Sequence, residues 1–352
     1  MKVLIIGGVA GGATAAARLR RLNEKAEIIV FEKSGYVSYA NCGLPYYIGG
    51  IIENKKALTL QTPASFKKRF NIDVRVNSEV LSINPKERTL FIKDLQSGKT
   101  YTESYDKLIL SPGAKAIKPA LPGIDSDKIF TLRTVEDTFR IRECIERQKP
   151  SSAVVVGGGF IGLEMAENLI QEQIHTTLLQ RSSQVMPPLD YDMACQLHAY
   201  LRSQGLDLRL NSPIASYEEM ADGIKIHLKD GTALETDMVL LAIGVSPDTQ
   251  LAKEAGLTLG AKDAIVVDEH LQTSDKDIYA VGDAIQVSHF VSGLEAVIPL
   301  AGPANKQGRI AADNICGRQS TYQGSQGSSI IKLFDMTCAS TGLNEKTAQA
   351  AG

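Results

Sequence analysis

No stretch of this chain stays apolar for the roughly 20 residues that a membrane-spanning helix needs. Runs such as Val3–Ile6 and Met238–Ile243 have the length of a buried strand, so no membrane association is expected. An excess of one charge is also missing. The net charge over 352 residues is −2, and basic residues are mixed with acidic ones, which leaves no stripe for nucleic acid and no polybasic patch. Paired cysteines are absent. Cys42, Cys144, Cys195, Cys316 and Cys338 lie far apart, without metal-site or redox-pair spacing. No metal site is therefore expected, and unpaired thiols suit a reducing cytoplasm. KVLIIGG begins a strand at once, so no secretory leader is expected. Apolar residues at 43% and charged residues at 22% leave material for buried cores, and the length suits two or three domains.

Repetition is what the sequence does have. KVLIIGG reads as a buried parallel strand, ATAAARLRRLN as a helix and EIIVFEK as a second strand. The same order returns about 150 residues later as SAVVVGGG, FIGLEMAENLIQEQ and TTLLQR. Each unit is followed by strand-like stretches: DVRVNSEVLSINP, TLFIKDL and YDKLILSPGA in the first half, LDLRLNSPI, IKIHLKD and MVLLAIGVSPD in the second. The fold class is α/β, with two Rossmann-like nucleotide-binding domains. The polar segment 319–329 reads as a linker into a third domain.

Gly157-Gly158-Gly159-Phe160-Ile161-Gly162 completes the pattern G-x-G-x-x-G between strand and helix. Gly157 permits the tight turn, Gly159 admits a pyrophosphate to the backbone, and Gly162 lets the helix approach the strand. The first loop, Gly7-Gly8-Val9-Ala10-Gly11-Gly12, departs from it at Val9. Glu32, closing the next strand, supplies a carboxylate for the ribose hydroxyls of a bound adenosine. Gln180 stands in the equivalent place of the second unit and Arg181 follows it, which leaves NAD and NADP both open. The strand Ile278–Val281 ends in Gly282-Asp283, where a carboxylate can meet the ribitol hydroxyls of a flavin.

The ordered set GGVAGG, FEK, SYANCGLPYY, TLRTVED, GGGFIGLE, AIGVSPD, IYAVGDA and PLAGPANKQGR resembles the FAD-dependent pyridine nucleotide–disulfide oxidoreductases. Within them it is similar to the single-cysteine branch of coenzyme A-disulfide reductases and NADH-dependent persulfide reductases, whose members often carry a C-terminal rhodanese domain. The resemblance implies a glutathione-reductase type fold. Residues 1–115 and 246–320 would form the FAD-binding domain, 116–245 the NAD(P)-binding domain, and 321–352 the beginning of an α+β dimerisation domain, the full-length form being a homodimer. It assigns Gly7, Gly12, Glu32, Lys33, Arg133, Asp283 and Ala301 to FAD. It assigns Gly157, Gly159, Phe160, Ile161, Gly162, Glu164 and Gly244 to NAD(P)H. A core aromatic and a helix-face acid are the plain alternatives for Phe160 and Glu164.

Cys42 is the candidate catalytic residue. Two-cysteine disulfide reductases place a partner five residues on, and Tyr47 occupies that place here. An oxidised Cys42 must then be a sulfenic acid or a mixed disulfide with a small thiol. Similar NADH peroxidases and oxidases carry a histidine in the first phosphate loop, where this chain has Ala10, which favours the mixed disulfide. The resemblance implies coenzyme A as that thiol, with contacts at Thr14, Arg18, Arg21, Ser38 and Asn41. Arg18 and Arg21 share a helix face, and two guanidiniums can hold phosphates. A solvated basic face is the alternative. The expected activity passes electrons from NAD(P)H through FAD to Cys42, and on to a coenzyme A-type disulfide, persulfide or polysulfide. A sulfenic-acid NADH oxidase or peroxidase, a ferredoxin-reducing flavoprotein and a noncatalytic redox sensor are the competing readings.

Overall fold

A computed structural model describes residues 1–352. The backbone forms two compact units. The first comprises Met1–Tyr39, Thr59–Lys115 and Ser246–Gly327; the second comprises Ala40–Leu58, Ala116–Val245 and Ser328–Gly352. Residues 40–58, read from the sequence as part of the first domain, thus cluster with the second unit. So do residues 328–352, which were expected to begin a third domain.

The first unit is built on a five-stranded parallel sheet in the order Ile278–Ala280, Lys107–Leu110, Lys2–Ile6, Glu27–Phe31, Asp73–Arg75. Its central strands KVLII and KLIL are apolar almost throughout and buried, as a parallel sheet covered on both faces requires. A three-stranded antiparallel sheet, Ser78–Asn84, Thr89–Asp94 and Thr100–Ser104, belongs to the same unit. Its middle strand alternates buried Leu90 and Ile92 with exposed Phe91 and Lys93, the period-2 pattern of a sheet wet on one face.

The second unit repeats the plan. Its parallel sheet runs Ile129–Thr131, Met238–Leu241, Ser152–Val156, His175–Leu179, Asp207–Arg209, and its antiparallel sheet joins Ile214–Met220, Gly223–Leu228 and Ala233–Thr236. The outermost strand is contributed differently in the two halves. In the first it comes from residue 278, after the rest of the sheet; in the second it comes from residue 129, before it. Residues 328–352 form the hairpin Ser329–Leu333/Met336–Ser340 and the helix Glu345–Ala351. The hairpin is tied down where Glu167 Oε1 accepts from the Phe334 N–H at 2.7 Å and Tyr200 Oη accepts from Asp335 N–H at 2.9 Å. No helix is long and apolar enough to cross a membrane.

The tightest packing in the first unit joins the helices Ala10–Leu22 and Ala301–Ile315. One presents Gly11 and Ala15; the other presents Ala304 and Gly308, each pair four residues apart on one helix face. Side chains this small let the backbones touch. A Cβ placed on Gly308 would lie 2.4 Å from the Gly11 carbonyl oxygen. The flank of the contact is polar: Thr14 Oγ1 donates to Asn305 Oδ1 at 2.7 Å, and Arg18 Nε donates to Asp313 Oδ1 at 2.8 Å. Gly308→Ala should therefore force the helices apart and cost about 1–3 kcal/mol. A thermal melt followed by circular dichroism measures this, and an unchanged midpoint would show slack between them.

Candidate active site

The two glycine loops are built alike, each within its own unit. Gly7 N–H donates to Phe31 O at 2.8 Å, and Gly157 N–H donates to Leu179 O at 2.9 Å. Gly12 and Gly162 sit where the following helix meets the loop: a Cβ on either would fall 1.9 Å from the carbonyl oxygen of Gly7 or Gly157 respectively. Any side chain there would push the helix off the strand. At Gly159 a Cβ would meet nothing within 4 Å. The protein's own packing leaves that space open in front of the helix Phe160–Gln171, where a phosphate can approach the backbone. Phe160 and Ile161, both half-buried, form the first turn of that helix. Gly244 lies in the same unit and its carbonyl accepts from Ile117 N–H at 3.1 Å.

Helix starts distinguish these loops among the helices of eight residues or more, although the short helices Leu44–Ile48 and Gln250–Glu254 also begin without a cap or an acid. Helices Ala10–Leu22, Phe160–Gln171 and Ala301–Ile315 have no side-chain cap from their N-cap residue and no acid in the first turn. Helices Pro63–Phe70, Val135–Gln148 and Glu345–Ala351 begin with reciprocal capping boxes. Uncapped starts leave backbone N–H groups for an outside acceptor, as a nucleotide phosphate supplies. One is met internally: Gly12 N–H donates to Ser111 Oγ at 3.1 Å, a contact with no signal in the local sequence.

The ribose positions also correspond. Glu32 Oε2 accepts from Gly8 N–H at 2.8 Å and Oε1 from Ser34 N–H at 3.0 Å; Gln180 Oε1 accepts from Gly158 N–H at 2.9 Å. Glu32 is thereby fixed over its loop. Lys33 is largely exposed and pairs with Glu79 at 2.6 Å. Asp283 lies in the turn Gly282–Ala284 at the end of the strand Ile278–Ala280, and Gly282 N–H donates to buried Gln307 Oε1 at 2.7 Å. Ala301 opens its helix and is exposed. Arg133 belongs to the second unit, where its N–H donates to Asp137 Oδ2 at 2.9 Å. The donor-rich loops with carboxylates at Glu32 and Asp283 fit FAD in the first unit, and the Gly157–Gly162 loop fits a nicotinamide nucleotide in the second.

A cleft of about 350 Å³ opens in the first unit beside the helix Ala10–Leu22. Its walls include Thr14, Arg21, Ser38, Gln61, Asn305 and Arg309, with Phe66 and Phe70 giving an apolar side. Arg18 is not among them, since its guanidinium is directed to Asp313 at 2.8 Å. The second cation of the cleft is Arg309, more than 280 residues from Arg21 in sequence and so invisible to any local pattern. Asn41 lies in the second unit, exposed, beside Cys42.

Cys42 occupies the turn Asn41–Gly43, immediately before the short helix Leu44–Ile48. All five cysteines are free, and Cys42 is the exposed one. Tyr47 is buried, its ring edge-on to Phe139 with centroids 5.6 Å apart. The helix packs on Phe160–Gln171, so closely that a Cβ on Gly49 would lie 2.1 Å from Asn168 Oδ1. Burial pushes the Cys42 thiol above its ordinary range, and the nearby Glu164 carboxylate adds to this. Burial and then Glu167 push Glu164 itself up to about 7. Glu167 is raised too, by burial, and its Oε2 is buried without a partner. Tyr46 is raised by burial and by the same two acids. Cys42 thus faces a weakly acidic cluster, with no cation from its own unit drawing out the thiolate.

Comparison with known proteins follows the same lines. Coenzyme A disulfide reductase from Staphylococcus haemolyticus is 38% identical over 346 residues, covering 97% of this chain and 76% of that protein. The crystal structure of reduced Bacillus anthracis CoADR-RHD superposes with a TM-score of 0.97 at 51% identity, covering 99% of this chain and 63% of that one. The NAD-dependent persulfide reductase from A. fulgidus does so with a TM-score of 0.96 at 37% identity, covering all of this chain and 65% of that one. This chain therefore spans less than two-thirds of both solved relatives. The family model for pyridine nucleotide-disulphide oxidoreductases matches residues 1–308, and the chain belongs to that family.

Proposed function

We propose that this chain carries electrons from NAD(P)H, through FAD, to Cys42 and on to a small disulfide or persulfide of the coenzyme A type. One observation carries the reading: an exposed Cys42 with a buried Tyr47 where a second thiol would stand. Without an internal partner, the oxidised form is a sulfenic acid or a mixed disulfide with an outside thiol, and Ala10 in the first phosphate loop favours the mixed disulfide. Bound FAD and NAD(P)H would supply the two-electron transfer. The loop Gly7–Gly12 with Glu32 and Asp283 would hold the flavin; Gly157–Gly162 would hold the nicotinamide nucleotide.

The sulfur chemistry belongs to Cys42. In a mixed disulfide with coenzyme A, two electrons break the S–S bond, leaving a Cys42 thiolate and a free coenzyme A thiolate that takes a proton from solvent. The Cys42 thiolate then attacks one sulfur of the next disulfide, re-forms the mixed disulfide and expels the other sulfur as a thiolate. For a coenzyme A persulfide, attack on the inner sulfur forms the same mixed disulfide and expels hydrosulfide. The first-unit cleft supports a coenzyme A ligand, because Arg21 and Arg309 offer two guanidiniums to phosphates while Ser38, Thr14 and Asn305 offer hydrogen bonds.

Three outcomes test this. Cys42→Ser should retain FAD and its bleaching by NAD(P)H while losing turnover of coenzyme A disulfide; surviving turnover would refute the cysteine chemistry. Arg21→Ala combined with Arg309→Ala should abolish retention on coenzyme A-agarose, whereas Arg18→Ala should leave the phosphate contacts in place. Glu164 bears on the pH dependence. It raises the Cys42 thiol, so Glu164→Gln should move the inflection of Cys42 alkylation by iodoacetamide to lower pH, read by peptide mass spectrometry. An inflection that stays or rises would remove Glu164 from the thiol's surroundings. The sign for folding is opposite to that of a salt-bridged acid. With its pKa raised from 4.5 to about 7, Glu164 favours the folded state less and less as pH climbs through that interval.

A further inference from the structure

The two halves of the chain provide an internal control for what binds at the ribose corner. In the first, the strand Glu27–Phe31 is followed by Glu32 and Lys33; in the second, His175–Leu179 is followed by Gln180 and Arg181. Both first residues accept from the second glycine of their loop, at 2.8 Å from Gly8 and 2.9 Å from Gly158, which fixes the equivalence in atoms as well as in order. What surrounds them differs.

Glu32 brings a full negative charge, and the cation after it is neutralised, since Lys33 pairs with Glu79 at 2.6 Å. That corner suits hydroxyls, which need acceptors. In the second half a neutral amide stands in place of the carboxylate. Gln180 has one acceptor oxygen, and it takes the Gly158 N–H; its amide hydrogens go to Ser182 Oγ at 2.6 Å and to Gln184 O at 3.0 Å. Arg181 is exposed and has no ion-pair partner. On the adjoining strand, Asp207 is already engaged by Thr177 Oγ1 at 3.1 Å and by Arg209 at 2.8 Å. The corner thus lacks the carboxylate that a 2′-hydroxyl would favour and presents an exposed guanidinium suited to a dianion that only accepts.

We propose that the second unit selects a 2′-phosphorylated adenosine, so that NADPH is its preferred electron donor, and that Arg181 is the residue that discriminates. This rests on reading Gly157–Gly162 as the nicotinamide-nucleotide loop. Calorimetric titration of the purified, FAD-loaded protein with adenosine 2′,5′-bisphosphate and with 5′-AMP tests it without turnover. The bisphosphate should bind about tenfold or more tightly than 5′-AMP. Arg181→Ala should remove most of that advantage while leaving 5′-AMP affinity near its starting value, and Arg181→Lys should keep part of it. Raising the salt should shrink the difference. Equal or tighter binding of 5′-AMP would overturn the selectivity and leave the nucleotide loop standing. A preference that survives Arg181→Ala would overturn the role of Arg181. Binding of neither ligand would overturn the loop reading along with it. Because Arg181 is exposed, its replacement should not prevent folding, and circular dichroism of each variant checks this.

Discussion

Backbone against backbone is the contact on which everything else in this molecule depends. In each half a helix starts so close to the preceding glycine loop that a single added carbon would overlap a carbonyl oxygen. That approach brings uncapped N–H groups to the edge of a parallel sheet, where strand ends gather acceptors and donors from separate parts of the chain. The same economy operates between Ala10–Leu22 and Ala301–Ile315, where alanine and glycine faces leave almost no gap. Dispersion over many such small contacts holds the helices in place, while their polar flanks are left free to line a cleft.

On this shared scaffold, charge rather than shape distinguishes the halves. One ribose corner carries a carboxylate, the other a neutral amide bonded to Gly158, Ser182 and Gln184. The segment 40–58 adds a third chemistry, a reactive sulfur seated on the helix Phe160–Gln171. Burial, and then Glu164 on that helix, raise the thiol's pKa, and no cation of its own unit favours the thiolate. A thiol held back in this way is protected from casual oxidants until a cofactor or substrate alters its surroundings.

Much of this could be read from the sequence because its signals are local. Strand–loop–helix–strand units write their glycines and apolar runs within some 30 residues, and Glu32, Gln180 and Asp283 follow at strand ends whose positions periodicity reveals. Cys42 could be judged by the residue five places on. What escaped depends on chain return. Arg309 and Asn305 join Arg21 and Thr14 only after the helix Ala301–Ile315 packs back, and Asp313 takes Arg18 away from its helical neighbour by the same return. Nothing near Arg18 announces that partner; its i, i+3 relation to Arg21 suggested a shared task instead. Likewise, the attachment of residues 40–58 and 328–352 to the second unit follows from contacts such as Glu167 with Phe334, which join residues 167 apart. Local pattern carries no information at that range.

Consider the order in which a ribosome would deliver these parts. The first unit's opening helix finds its closest packing partner in residues 301–315, with Thr14 and Asn305 separated by 291 positions. Its sheet also lacks an edge until Ile278–Ala280 is made. At about 5–20 residues per second, the earliest strands wait roughly 15–60 s for that closure. The core of the second unit is complete in the interval, being drawn mostly from residues 116–245. The half made first therefore closes only after the core of the other is made, and its alanine-rich helix face stays uncovered in the interval.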